Sequence, residues 1–167
     1  MNTDKGTLQK ARHLVTNTRV MTLSVLCEDI PWSSPVYFVY YDGRFYFFSN
    51  ENSRHIRFAQ KKEIISASVF HDSERLDEIF GFQMSGVLEP VEKQIRYLAI
   101  VKQYVEKFNF LKKVFGPQII ENRRFFLEKF KSRLYAFRPG QVFLSDNSRS
   151  TGKRVELDLK SLDHPLS

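Results

Sequence analysis

The chain has one cysteine, Cys27, among 167 residues. A single thiol excludes an internal disulfide framework and a cysteine-built zinc cage. Cys27 falls at a strand end with no activating pattern around it, so a buried, inert thiol is the reading. No apolar run approaches the ~20 residues that cross a bilayer. The N-terminal stretch "MNTDKGTLQKARHLV" lacks the apolar core of a signal peptide. Cytoplasmic residence and no membrane partner are therefore expected. Repeats, low-complexity tracts and linker-like stretches are missing. So are a Gly-rich phosphate loop of the P-loop or dinucleotide type and a G-x-S-x-G elbow. His13, His55, His71 and His164 have no metal-ligand spacing, and no metal is expected.

What is present is a globular composition. Hydrophobic residues make up 42%, with 16 phenylalanines, which is enough to bury a core within a single domain, residues 1–167. Net charge is +7, and the excess is local. Between Lys93 and Arg138 stand twelve Lys/Arg and three Glu. Such a segment can meet nucleic acid, an anionic surface or phosphorylated ligands. A solvated helical face is the preferred reading, with nucleic acid as the lesser one.

Hydrophobic periodicity divides the chain. Residues 5 to 16 place Leu8, Ala11, Leu14 and Val15 on one side of a short helix. In "RVMTLSVL" the period becomes two: Met21, Leu23 and Val25 alternate with Thr22 and Ser24. "PVYFVYY" is apolar at every position and is expected to be buried on both faces. "YDGRFYFF" carries Asp42-Gly43, the strongest short hairpin signal. A short helix over 53–60, a strand in "EIISASVF" and a long strand in "IFGFQMSGVLEPV" follow. From 91 to 111 the period is helical, Gly116-Pro117 breaks it, and a second helix covers roughly 117–130. "RLYAFRPGQVFLSD" and "KRVELDL" return to strand. Strands close together with late helices predict a small antiparallel barrel, mainly β with helices (α+β), the helical insertion spanning about 91–130. Tyr37, Val39 and Tyr41 would leave an apolar strand face in need of cover, by helices or by a partner subunit.

Three places carry chemistry. In "FYFFSNENSRHIRF" a strand ends at Ser49, and Asn50, Asn52 and Ser53 are good helix-capping residues. The first turn after them could take an anion, with a hydroxyl from Ser53, a bidentate guanidinium from Arg54 and a donor from His55, while Arg57 follows on a nearby face. An ordinary capped helix with exposed basic residues explains the same stretch equally well. Gln83, between Gly81 and Ser85, could hydrogen-bond a planar heterocycle or simply pair across strands. "SDNSRSTGKR" is a turn leading to a charged strand start.

The order of these parts resembles the FMN-binding split barrel of the pyridoxamine 5′-phosphate oxidase-like superfamily. The resemblance covers roughly residues 5 to 145. It is nearest to a small bacterial subgroup pairing an [ST]-R-H segment with a G-x-Q-x-x-G strand and a late D-N…G-K turn. It implies a six-stranded antiparallel Greek-key split barrel that forms homodimers with FMN at the interface. It implies that Ser53, Arg54 and His55 grip the FMN phosphate, with histidine where the family commonly has lysine. Ser49 and Asn50 would meet the ribityl chain or phosphate, and Arg19, Val20, Met21 and Thr22 would run beside the isoalloxazine ring. Ser34 would face the flavin, and Gln83 would come from the second subunit. Of the oxidase's R-x-V-L-L-K stretch only Arg19 survives in "RVMTLSV", and its C-terminal substrate segment is not recognisable. Vitamin B6 oxidation is therefore not implied. The expectation is an FMN-dependent oxidoreductase of unassigned substrate, with no residue placed as general acid or base. The alternative is a non-catalytic module of the same fold, binding heme, another flavin-like ligand, or nucleic acid through the basic helices.

Overall fold

The computed structural model describes residues 4–61, 64–91, 97–116, 124–149 and 154–162. Helix α1 (Lys5–Asn17) is capped by Asp4, whose carboxylate accepts from the Thr7 backbone N–H at 2.9 Å. Thr7, Ala11, Leu14 and Val15 are its buried side. Strands β1 (Val20–Cys27) and β2 (Ile30–Tyr37) form a hairpin. β3 (Val39–Tyr41) turns into β4 (Arg44–Asn50) through Asp42 and Gly43, both left-handed at φ 51° and 73°, as a two-residue hairpin of this type requires. Then come α2 (Arg54–Ala59), β5 (Ile65–His71) and β6 (Phe80–Pro90). Helices α3 (Tyr97–Lys107), α4 (Phe110–Phe115) and α5 (Phe125–Phe130) precede β7 (Ser132–Asp146) and β8 (Val155–Glu156). Much of the second helix expected over 117–130 lies outside the described residues.

All strand pairs are antiparallel, in the order β2-β1-β5-β6-β7-β4-β3, with β8 also on β7. β2 approaches β4, which curls the sheet into a half-barrel. Among the described residues there are eight strands rather than the six the resemblance implies, because "PVYFVYY" is broken at Phe38 and "KRVELDL" contributes the two-residue β8. That break also corrects the expectation of burial on both faces. Pro35 and Tyr37 are exposed, and full burial begins only at Phe38 and Val39. Phe38 closes the β1–β2 ladder, donating its N–H to the Arg19 carbonyl at 3.1 Å. The 15-residue β7 bends at a bulge. Its register against β6 slips between Ser85 and Gly86, where Gln141 and then Pro139 are the partners.

Two cores follow from the alternation of β4 and β7. Phe45, Phe47, Tyr135 and Phe137 face the barrel interior, with Met21, Leu23, Val25, Ile56, Val69, Phe82 and Leu144. Tyr46, Leu134 and Ala136 face outward, under Ile100, Val101, Tyr104, Val105, Phe108, Phe125 and Phe126. Phe48 and Phe126 stack at 3.7 Å between ring centroids. Val39 and Tyr41 belong to this second core. The chain's own helices cover them, so they do not call for a second copy. Of the three residues named for that role only Tyr37 stays exposed.

The basic helices are not a uniformly solvated face. Lys102, Lys112 and Lys113 are exposed. Lys107 turns inward, donating to the Val15 carbonyl at 3.1 Å with its Nζ 4.1 Å from the centre of the Phe38 ring. Burial, then the Arg19 charge, push its pKa down to about 8. Among the described residues no helix is long and apolar enough to cross a membrane.

Candidate functional site

The segment that closes β4 folds on its own polar side chains. Asn50 accepts the Asn52 backbone N–H on Oδ1 at 2.8 Å, and its carbonyl takes the Ser53 N–H at 3.0 Å and the Ser53 hydroxyl at 2.6 Å. This turn delivers the chain into α2, where Ile56 and Ala59 plug the barrel interior. Ser53 stands at the N-cap, but its side chain makes no capping bond to the helix.

Three side chains converge here. Ser49 Oγ lies 3.1 Å from Ser53 Oγ and 2.9 Å from His55 Nε2, and Ser53 Oγ lies 3.4 Å from the same nitrogen. Ser53 has one hydroxyl proton, and the short contact to the Asn50 carbonyl uses it. The Ser49–Ser53 contact then carries a proton only if Ser49 donates it. The Ser49–His55 contact carries one only if Nε2 is protonated and donates. The network thus runs from His55 through Ser49 and Ser53 to the Asn50 carbonyl. Burial pushes the His55 pKa below the ordinary imidazole value, which keeps the ring neutral and agrees with this arrangement.

Arg54, between Ser53 and His55 in the chain, packs on an aromatic ring. Its guanidinium carbon lies 4.5 Å from the centre of the Trp32 ring, within cation–π range. The indole N–H in turn donates to Ser34 Oγ at 2.9 Å. Trp32 and Ser34 pair with Val25 and Leu23 on β1, and so share the barrel-interior side of the sheet with them. The donor set of Ser49, Ser53, Arg54 and His55 is chemically suited to a phosphate monoester: two hydroxyls, an imidazole and a planar cation.

The opposite face carries the second group of expected residues. Thr22 on β1 is level with Ser68 on β5, which is level with Gln83 on β6. Ser24, Ser66 and Ser85 form the next row. Val20, Tyr37 and Phe70 lie exposed on the same side. On this strip of small hydroxyls and one amide, Ser66, Ser68 and Gln83 are exposed and Thr22, Ser24 and Ser85 half-buried. Ser34 and Gln83 therefore lie on opposite faces of one sheet, and a single chain does not line one pocket with both. Met21 is fully buried in the interior core and leaves only its backbone for a ligand. Arg19 precedes β1 at its far end, exposed, about 20 Å along the strand from Val25, the position paired with Trp32.

Sequence reasoning passed over Trp32; an aromatic between prolines and serines on an otherwise exposed strand was the available signal. It also passed over what "SDNSRSTGKR" does. The described part of that turn locks α1 in place: Lys10 bonds Asp146 at 2.6 Å, and Arg149 bonds Asp4 at 2.7 Å. Asp146 is buried and also accepts the Ser148 hydroxyl at 2.8 Å. Cys27 is buried. His13 and His71 meet edge-on with ring centroids 4.6 Å apart, but the described residues hold no group of three or more metal-binding side chains.

No protein-family model and no curated protein matches the chain. Solved structures do. A heme-binding protein from Mycobacterium smegmatis matches at a TM-score of 0.71 and 16% identity, over 96% of this chain and 61% of that one. The heme storage protein HutZ from Vibrio cholerae matches at 0.61 and 16%, over 87% of this chain and 98% of that one. An FAD-binding protein from Mesorhizobium loti matches at 0.59 and 15%, over 85% and 94%. The present chain has their fold, a mainly antiparallel β half-barrel with a few helices. It spans about three-fifths of the mycobacterial protein.

Proposed function

We propose that this is a homodimeric, cytoplasmic FMN-binding protein, a flavin-dependent oxidoreductase whose substrate is unassigned. The observation that carries the reading is the polar lip where β4 hands over to α2: Ser49, Ser53 and His55 within hydrogen-bond reach of one another, with Arg54 beside them on Trp32. These groups suit a phosphate end, and the opposite face offers Thr22, Ser68 and Gln83 to a planar ring system brought by a second copy. FMN bound there would supply the hydride or electron transfer. The chain's own part is to hold the phosphate, shield the ring and orient it. On binding, the Ser53 hydroxyl would leave the Asn50 carbonyl for the phosphate, and His55 would gain a partner that favours its charged form.

The test is a titration of the purified protein with FMN, FAD and riboflavin, read by flavin fluorescence. FMN is expected to bind tighter than the other two. Ser53→Ala with Arg54→Ala should weaken FMN by tenfold or more and leave riboflavin nearly unchanged, since charge-assisted bonds contribute about 1.5–3 kcal/mol each. Equal losses for both ligands would show that the segment supports the helix and not a phosphate. Light scattering should give a dimer, and a monomer with full flavin occupancy would refute the shared site.

A second reading is favoured by two of the solved neighbours, described as heme-binding and heme-storage proteins: a non-catalytic module for heme on the same barrel. The absorption spectrum of the protein as isolated separates the two, by a Soret band or by flavin bands. Nucleic acid through the basic helices is the weaker alternative, because Lys107 is withdrawn into the fold and Lys102 faces Glu106 at 4.0 Å.

A further inference from the structure

We propose that Trp32 is a positioning residue for the phosphate-binding guanidinium of Arg54, and that Ser34 acts through Trp32 and not by touching the ligand. The inference rests on the FMN reading above and specifies how one of its binding groups is held.

The geometry is a three-part stack from edge strand to helix. Trp32 is about two-fifths exposed at the lip of the barrel, on edge strand β2. Its indole N–H is fixed by Ser34 Oγ two residues along the same strand, at 2.9 Å. That bond removes the ring's freedom to turn about the strand. Ser34 is buried, and its hydroxyl holds the indole N–H, so its burial leaves it poorly placed as a direct ligand contact. Arg54, from the first position of α2, lies over the fixed ring at 4.5 Å. A guanidinium on an aromatic face keeps its N–H edges directed away from the ring, where a phosphate can take two of them at once. An arginine free in solvent would first have to be immobilised, at a cost that Trp32 removes in advance. Arg54 thus serves the site because β2 presents a tryptophan opposite it, a relation separated by 22 residues in the sequence.

The alternative is that Trp32 merely packs β2 against α2. That role would act on every ligand alike. The experiment measures dissociation constants for FMN and riboflavin with the full-length parent, Trp32→Ala, Trp32→Phe, Arg54→Ala and the double variant Trp32→Ala/Arg54→Ala. Trp32→Ala is expected to weaken FMN about 2- to 10-fold, the range for immobilising one rotamer-rich side chain, and to leave riboflavin unchanged. Trp32→Phe, which retains a ring face, should keep most of the FMN affinity. The double variant should be no weaker than Arg54→Ala alone, because Trp32 has nothing left to position. Parent protein that binds neither flavin overturns the FMN reading and this assignment with it. Parent protein that binds FMN while Trp32→Ala keeps full affinity, loses both ligands equally, or adds its effect to that of Arg54→Ala overturns this assignment alone.

Discussion

Lys107 offers a test of how the helical layer is joined to the barrel. Its ammonium sits between α3 and α1, on the Val15 carbonyl and the Phe38 ring, with Arg19 the nearby like charge. Burial first, and Arg19 second, lower its pKa from 10.5 to about 8. Below pH 8 the folded and unfolded chains both carry the proton, and the fold bears the whole cost of burying the charge. As pH rises from about 8 to 10.5 the folded chain loses its proton first, so stability should rise through that window and level off above it. The full shift sets a ceiling of about 3.5 kcal/mol at about 1.4 kcal/mol per unit. The ammonium keeps some contact with water, and both the ring and the carbonyl at the end of α1 favour the cation, so about 1 kcal/mol is expected. The measurement is urea unfolding of wild type and Lys107→Met at pH 7, 8, 9 and 10. Taking the difference cancels the titration of every other group. The wild-type curve should climb relative to the variant between pH 8 and 10. Parallel curves over that range would refute the claim that Lys107 is desolvated.

Gly86→Ala should destabilise by about 2 kcal/mol or more, because a Cβ there would lie 2.7 Å from Pro139 Cα and closer still to the Arg138 carbonyl. Gly140→Ala, whose Cβ meets only the Ser85 carbonyl at 3.9 Å, should be nearly neutral, and thermal unfolding of the pair reads the contrast. At Asp146 burial raises the carboxyl pKa, but the bonds from Lys10 and Ser148 outweigh it and the net shift is downward. Its contribution is therefore present above about pH 4 and lost as pH falls through the lowered value, so Asp146→Asn should cost about 1–3 kcal/mol at pH 7 and flatten the acid limb of the stability curve. His55 has its pKa lowered by burial. Its stabilising contribution is complete above about pH 6.5 and falls as pH drops from there toward the lowered value. Between pH 7 and 5 the wild type should lose more stability than His55→Gln, and equal losses would mean that the ring is solvated.

The local features of this fold were legible in the chain. The alternation of Met21, Leu23 and Val25 with Thr22 and Ser24 is the inside and outside of β1. Asp42-Gly43 makes the hairpin it announces, and the 3.6 period after Val91 becomes α3. Ser53, Arg54 and His55 were legible as a group; the structure adds Ser49, which the turn brings within hydrogen-bond reach of Ser53 and His55. Period and turn chemistry act over a few residues, and a sequence displays them directly. Only the tertiary structure decided what covers what. An apolar face at Val39 and Tyr41 reads the same whether a second copy or the chain's own α3 and α5 pack on it, and the helices do. Lys107 reads as one more surface lysine until α1 and Phe38 close around its stem. The turn after Ser145 reads as a loop until Lys10 and Asp4, more than 130 residues earlier, supply its partners. Ser34 and Gln83 were expected to reach the flavin from different subunits, and the pleat of their strands, carried across the β1 and β5 registers, sets them on opposite faces of one chain. In each case the deciding contact joins residues distant in the chain, and the energy that selects it comes from burial against a particular partner, which no local pattern encodes.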